Sequence, residues 1–141
     1  MGVDVYVNRL RLPDAAVVAM QSGRWQVPAD DRLLRSVFGD EAFFPCFYGA
    51  EQIEHENATW PQQATDGFLG RPDGDDPPGD IDPHRSVLIG DLGPDYPFAL
   101  DYRTATTPAL EPRVVYLRGD VEPQWVTVAP SFAALLTALH L

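Results

Sequence analysis

The carboxylate of Asp101 is the first side chain of this sequence that invites a chemical interpretation. It interrupts the apolar run YPFALDYR, where it could act as a general base or as a metal ligand. General-base catalysis also needs a second group that orients the carboxylate or shares its proton, and no such group stands beside it in the sequence. We therefore interpret Asp101 as structural. Phe98 and Leu100 are expected to face the core, while Asp101 lies on the other face of its strand and binds a backbone group or Arg103.

The patterns that bind metals or activate nucleophiles are incomplete. His55, in the stretch EHEN, lacks the second histidine four residues away that a helical zinc site requires. The stretch PDGDDPPGDIDPH lacks the spacing and the glutamate of a calcium-binding loop. Cys46 is the only cysteine, which excludes an internal disulfide, and its apolar neighbours in FFPCFY predict an inert thiol in the core. The sequence therefore predicts a protein without catalytic residues, cofactors or bound metals.

The composition describes one acidic domain. The 141 residues match the length of a single domain, and 45% of them are apolar, which is enough for a core. The formal net charge is −11, and all ten basic residues are arginine. This balance argues against binding to nucleic acids or to anionic membranes, because both need clustered basic side chains. It fits a partner protein that is itself basic.

Targeting signals are not recognisable in the sequence. The first residues, MGVDVYVNRL, have neither the basic start nor the long apolar core of a signal peptide. No apolar run reaches the roughly 18 residues of a membrane-spanning helix. The sequence therefore predicts a cytoplasmic protein, and the single cysteine agrees with a reducing compartment.

The N-terminal half predicts short helices and strands. Val3, Val5 and Val7 alternate with polar residues, which is typical of a half-buried strand. The stretches LPDAAVVAMQSG and ADDRLLRSVFGD have the end signals and apolar spacing of helices. We expect a short strand near Phe47–Tyr48 and then a helix from about Glu51 to Trp60.

Residues 71–84 differ in composition from the segments around them. They are rich in glycine, proline and aspartate. Pro77 and Pro78 cannot donate the hydrogen bonds of a strand interior. The sequence therefore predicts a mobile acidic loop within the domain.

The C-terminal half predicts a sheet closed by a helix. The stretches SVLIGDL, YPFALDYR, RVVYLRGD and QWVTVA predict four strands, with a hairpin turn at Gly93–Asp95. The stretch PSFAALLTALHL predicts a final helix with one apolar stripe. Residues 1–141 are thus expected to form a single α+β domain. It contains a mostly antiparallel sheet of about five to six strands, helices packed on one side, and a C-terminal helix that closes the core.

Several of these stretches together resemble a known family. GDLGPDYPFALDYR, PRVVYL and WVTVAPSFAALLTAL resemble the C-terminal half of the SUKH superfamily, the Smi/Knr-like domains common among bacterial toxin-immunity proteins. The stretch FYGAEQIEHEN resembles the family's aromatic strand and its acidic helix with an asparagine, here Asn57. The resemblance covers roughly residues 47–60 and 86–140. The N-terminal third departs from it, because family members usually open with a helix rather than a strand.

The resemblance implies a non-catalytic protein-binding module without a cofactor. It would be an immunity protein, a monomer or a dimer, that neutralises a cognate protein toxin such as a basic nuclease-type domain. Charge points to the acidic helix and the aspartate-rich loop as its binding surface, and an exposed tryptophan beside carboxylates is typical of an interface hot spot. The candidate contact residues are Glu51, Glu54, Glu56, Trp60, Asp73, Asp75, Asp76, Asp80 and Asp82.

Two other functions remain open at this point. A solitary Smi/Knr-like domain could be a regulatory adaptor that scaffolds host proteins, and the absence of a neighbouring toxin gene would favour this alternative. A small metal-dependent hydrolase could use Asp101 or the loop carboxylates together with His84. No sequence motif supports the hydrolase.

Overall fold

The computed structural model describes residues 4–40, 42–63, 66–75, 77–107, 110–119 and 123–141. Its α-helices are α1 (Asp14–Gln21), α2 (Asp31–Phe38), α3 (Ala50–Gln63), α4 (Asp66–Leu69) and α5 (Phe132–Ala138). Its strands are β1 (Tyr6–Val7), β2 (Leu10–Arg11), β3 (Cys46–Phe47), β4 (Pro78–Gly79), β5 (Ser86–Asp91), β6 (Pro97–Asp101), β7 (Arg113–Arg118) and β8 (Gln124–Ala129), and a 3₁₀ helix covers Pro83–Arg85. None of the helices in the described ranges is long and apolar enough to cross a membrane.

An antiparallel sheet of six strands, in the order β3-β5-β6-β7-β8-β4, forms the centre of the molecule. Every residue of β6 is buried, so both faces of the sheet are covered there. Strands β1 and β2 form a separate hairpin. The predicted α+β class, the antiparallel sheet and the C-terminal helix packed on it are confirmed.

Aromatic rings fill the space between one face of the sheet and helices α2 and α5. The ring of Phe98 in β6 lies 5.0 Å from that of Phe38 in α2 and 5.5 Å from that of Phe47 in β3. Phe132 begins α5 and lies 4.8 Å from Trp25, which itself lies 6.2 Å from Phe98. The tilted and edge-on ring geometries are those that aromatic pairs prefer. This cluster holds the helices on the sheet.

The predicted helix ends at α2 and α5 are confirmed. The side chain of Asp30 accepts the backbone N–H of Arg32 at the start of α2. Gly39 ends this helix with a φ of 80°, a left-handed conformation that glycine adopts readily. Ser131 caps α5 in the same way as Asp30 caps α2. Pro13 immediately precedes α1 as its N-cap residue.

Helices α3 and α4 cover the opposite face of the sheet. The side chain of Tyr116 in β7 points towards α2. Trp125 pairs with Leu117, the next residue of β7, so the side chain of Trp125 points to the other face. There Trp125 lies 6.4 Å from the ring of Trp60 in α3 and donates its indole N–H to the carbonyl of Phe68 in α4 at 2.7 Å. The predicted packing of helices on one side of the sheet therefore describes α2 and α5, and α3 and α4 add helices on the opposite face.

Residues 71–84 include an edge strand of the sheet. Strand β4 pairs antiparallel with Trp125 and Val126 of β8. The prediction that Pro77 and Pro78 prevent strand pairing is wrong, because a proline at the edge of a sheet can direct its missing N–H away from the ladder. Gly79 has a φ of 76°, and a Cβ there would collide with backbone of the same segment.

Helix α3 continues to Gln63, beyond its predicted end, although Pro61 lies inside it. A proline has no N–H for the carbonyl four residues earlier, which is that of Asn57. The side chain of Asn8 supplies the missing donor at 2.8 Å. Asn8 and Arg9 form the β1–β2 turn with φ values of 49° and 71°, as a type I′ turn requires. The N-terminal hairpin is thereby anchored on α3.

The side chain of Asn57 completes the hydrogen bonding of β5 where β3 no longer reaches. Strand β3 pairs with Gly90 and Asp91 only. At Leu88, the carboxamide of Asn57 takes the place of a strand: Oδ1 accepts the N–H of Leu88 at 2.8 Å, and Nδ2 donates to its carbonyl at 2.9 Å. Asn57 is fully buried. A carboxamide can do this because it offers the same donor and acceptor as a peptide group.

Replacing Asn57 by alanine should lower the free energy of unfolding by about 2–4 kcal/mol, because the N–H and carbonyl of Leu88 would both be left unpaired. Urea unfolding measures the change, with Thr59→Ala on the exposed side of the same helix as the matched control. The control should change stability by less than about 0.5 kcal/mol. An equally small effect of Asn57→Ala would contradict the assigned role.

Candidate partner-binding site

Asp101 is fully buried and bonded by two arginines. Nε of Arg103 donates to its Oδ1 at 3.0 Å, and Nε of Arg113 donates to its Oδ2 at 2.9 Å. Arg103 also donates through Nη1 to Asp80 at 2.9 Å. Two carboxylates and two guanidinium groups therefore form a neutral cluster that fastens residues 71–84 to the end of β6. The predicted contact between Asp101 and Arg103 is confirmed.

This cluster fixes the protonation state of Asp101. Burial by itself would raise the pKa of Asp101, but the hydrogen bonds and positive charge of Arg103, with a further bond from Arg113, lower it below the usual aspartate value. Both carboxylate oxygens already accept hydrogen bonds. A carboxylate with so little affinity for a proton is a poor general base.

The loop aspartates that were predicted as partner contacts are mostly used within the chain. Asp80 belongs to the arginine cluster. Asp82 accepts a backbone N–H at the start of the 3₁₀ helix at 2.9 Å, and Asp73 accepts a side-chain hydrogen bond from β8 at 2.6 Å. Asp75 is exposed, and Asp76 lies outside the described residues. The loop is therefore a weaker candidate surface than its composition indicates.

The candidate residues of α3 point in different directions. Glu51 and Glu54 are exposed, and Glu56 is half-buried. Trp60 is only 7% exposed, and its indole N–H donates to the hydroxyl of Ser86 at 3.0 Å. Trp60, expected to be half-buried or partly exposed, is instead buried, because the end of α3 packs against the sheet rather than projecting into solvent.

Glu56 lines a cavity of about 400 Å³ between α3 and the β5–β6 hairpin. We call this space the acidic cavity. Three carboxylates line it, those of Glu56, Asp91 and Asp95, together with the aromatic side chains of Tyr48, Trp60, Phe68 and Tyr96. Concave sites with aromatic walls and a few polar groups are the usual form of binding pockets.

The carboxylate of Asp91 is held in the wall of the acidic cavity by Tyr48, whose hydroxyl donates to Oδ2 at 2.8 Å. Burial raises the pKa of Asp91, the hydrogen bond from Tyr48 opposes that rise, and the negative charge of Glu56 adds to it. The pKa of Tyr48 is raised as well, mainly by burial and then by Asp91. The negative charge of Asp91 is thus costly to the folded protein, and a cation placed beside it would lower that cost.

The salt bridges of the described residues lie outside the acidic cavity. Within the described residues, the carboxylates that form salt bridges with arginine are Asp4, Asp14, Asp80 and Asp101. Glu56 and Asp91 take part in none of these pairs. The same part of the chain contains no group of three or more histidine, cysteine or acidic side chains that could hold a metal ion.

Two exposed phenylalanines lie beside the acidic cavity and were not predicted as site residues. Phe43 is 63% exposed and Phe44 is 72% exposed. The ring of Phe43 lies 6.0 Å from that of Tyr96, which lines the cavity. The apolar stretch FFPCFY indicates burial throughout, yet only Phe47 and Tyr48 are buried.

Cys46 belongs to the same stretch, and its predicted position in the core is wrong. It was expected in the core but is only half-buried. Burial raises the pKa of its thiol, and the charges of Asp91 and Glu56 raise it further. The thiol is therefore kept protonated, which is the less reactive form.

A second cavity, of about 520 Å³, lies between the β1–β2 hairpin, α1 and α3. Its lining is mostly aliphatic, and Glu54 is its only charged side chain. Its described lining carries one carboxylate, whereas three carboxylates line the acidic cavity. The acidic cavity is consequently the better candidate site.

Replacing Asp101 by asparagine should lower the free energy of unfolding by about 2–4 kcal/mol near neutral pH, because the partly buried Arg113 loses its carboxylate partner and Arg103 keeps only Asp80. Because the folded state lowers the pKa of Asp101, this residue stabilises the protein at pH values above its unfolded pKa of about 3.9. That stability is lost as the pH falls through the folded-state pKa. Urea unfolding between about pH 7 and pH 2 should show a smaller acid loss in Asp101→Asn than in the natural chain. The exposed Asp75→Asn is the control, and identical pH profiles would contradict the assignment.

Replacing Asp91 by asparagine should make the protein more stable near neutral pH. The folded state raises the pKa of Asp91. Asp91 therefore contributes favourably to stability at pH values below its unfolded pKa, and this contribution is lost as the pH rises through its folded-state pKa. Asparagine resembles the protonated acid and can still accept the hydrogen bond of Tyr48. Thermal unfolding at neutral pH should show a higher midpoint for Asp91→Asn than for Asp75→Asn. A lower midpoint would mean that the ionised form is the stable one.

Comparison with known proteins assigns no family. No protein-family model, curated protein or solved structure matches the chain. The SUKH resemblance therefore stays a prediction, and the function has to be argued from the site.

Proposed function

We propose that this protein is a non-catalytic binding module that neutralises a cognate bacterial toxin by direct contact, as an immunity protein does. The observation that carries the proposal is the acidic cavity, whose carboxylates Glu56 and Asp91 form no salt bridge within the described chain. Functional surfaces commonly keep such charges at a cost to stability. A basic partner would supply the missing counterion.

The charge of the whole molecule supports the same proposal. The net charge of −11 creates a field that attracts a basic partner and speeds the encounter. The arginine cluster around Asp101 is neutral, so the excess negative charge lies on other carboxylates, including the exposed Glu51, Glu54 and Asp75. A toxin that binds nucleic acid carries the complementary positive surface.

Two features favour binding over chemistry. The carboxylate of Asp101 is saturated by arginines and has a lowered pKa, so it is unsuited to accept a proton. The thiol of Cys46 has a raised pKa and is unsuited to act as a nucleophile.

The proposal is tested with the protein domain encoded directly before this gene. Titration calorimetry should show tight binding at one-to-one or two-to-two stoichiometry, weakening steeply as salt rises from about 50 to about 300 mM. Adding this protein should also abolish the toxin's activity. Absence of a toxin gene, or no binding to its product, would overturn the proposal and favour an adaptor.

Glu56→Lys should lower the affinity for the toxin at least about tenfold and flatten the dependence on salt, because it places a like charge against the basic partner. Glu111→Lys changes the net charge equally at an exposed position that does not line the acidic cavity, and it serves as the control. Circular dichroism checks that both variants fold. Equal losses in the two variants would point to the overall charge and not to this cavity.

A further inference from the structure

Phe43 adjoins the acidic cavity at the turn of the β5–β6 hairpin, and the exposed Phe44 follows it in the same segment. The backbone N–H of Phe44 donates to the carbonyl of Leu92 at 3.0 Å, which ties the segment to this turn. The ring of Phe43 rests against Gly93, where any Cβ would lie about 2.7 Å from its Cζ. Tyr96 joins the two parts, because it contacts Phe43 and also lines the cavity.

The exposure of these rings has no explanation within the fold. Large apolar side chains that stay exposed next to one another mark interaction sites when polar residues surround them. Here the polar border is supplied by Asp91 and Asp95. An apolar anchor beside desolvated charge is also the usual make-up of an interface hot spot.

The chemistry of the cavity favours a guanidinium over an ammonium group. A guanidinium is planar, stacks on aromatic rings and offers several N–H donors to separate carboxylates. The aromatic walls and the carboxylates of Glu56 and Asp91 match each of these properties. An ammonium group is more strongly hydrated and gains less from such walls.

We propose that a protein partner docks on this surface by inserting one arginine side chain into the acidic cavity while apolar side chains cover Phe43 and Phe44. The arginine lies between the aromatic walls and pairs with Glu56 and Asp91. The inference rests on the proposed function, because the immunity partner is the protein that would supply the arginine. It goes further by naming the surface and the side chain that it recognises.

The cavity can be tested without any partner. N-acetyl-arginine-methylamide and its lysine counterpart are titrated at low salt while backbone amide NMR signals are followed. The arginine compound should shift the signals of Gly93, Asp95 and Tyr96 and bind several-fold more tightly than the lysine compound. The shifts should vanish in the double variant Glu56→Gln with Asp91→Asn. Equal binding of both compounds, or shifts spread over Glu51 and Asp75, would overturn the proposal.

The docking surface is tested with the toxin domain. Phe43→Ser, Phe44→Ser and Asp91→Asn should each lower the affinity about tenfold or more, which is the usual range for hot-spot residues. Val18→Ser, at an exposed apolar residue of α1, and Glu111→Gln, at an exposed carboxylate that does not line the acidic cavity, are the matched controls and should leave the affinity unchanged. Asp91→Asn should weaken binding while raising stability, which separates a lost contact from a damaged fold.

The outcomes distinguish this inference from the proposed function. If the toxin binds but all three surface variants keep the natural affinity, the docking surface is wrong and the immunity function stands. If no toxin binds, the immunity function fails, and the titration with the arginine compound decides for or against the cavity by itself.

Discussion

The packing of the sheet, helix α3 and the N-terminal hairpin depends on how the backbone hydrogen bonds at one buried strand edge are satisfied. Strand β3 is too short to cover β5, and a backbone N–H and carbonyl left bare in the interior would each be costly. Asn57 solves the problem with its carboxamide, which bonds both groups of Leu88. Its own carbonyl, freed by Pro61, binds Asn8 of the N-terminal hairpin. One residue therefore connects the sheet, helix α3 and the hairpin.

The same constraint positions the candidate site. Because Asn57 is turned onto β5, the preceding residue Glu56 lies beside the strand end that carries Asp91, and its charge reaches the carboxylate of Asp91. The cavity lies between α3 and the β5–β6 hairpin, so residues of both elements line it. Neighbouring residues of one helix thus have different tasks: Asn57 supplies hydrogen bonds to the sheet, and Glu56 supplies a charge for the proposed recognition.

Local patterns predicted most of the elements, because caps and alternation depend on neighbours in the sequence. Ser131 and Asp30 start helices, and the strands of the C-terminal half follow their apolar runs. The acidic cavity could not be predicted, since Glu56 and Asp91 meet only after α3 packs on the sheet. The burial of Trp60 was not predicted for the same reason: its neighbours in the sequence are mostly polar, but in the fold it contacts Ser86 and Trp125. The edge strand at Pro78 was missed because a proline is excluded from the middle of a sheet but not from its border.

The two borders of the sheet have a consequence for recognition. One border is β3, a strand of two residues, and the other is β4, which consists of Pro78 and Gly79. Neither offers the long row of free N–H and carbonyl groups on which a foreign strand could assemble. Growth of the sheet from chain to chain, the usual route to fibrils, therefore has no template at these borders. The docking proposed above accordingly relies on side chains, those of the acidic cavity and the exposed phenylalanines, and not on the addition of a strand.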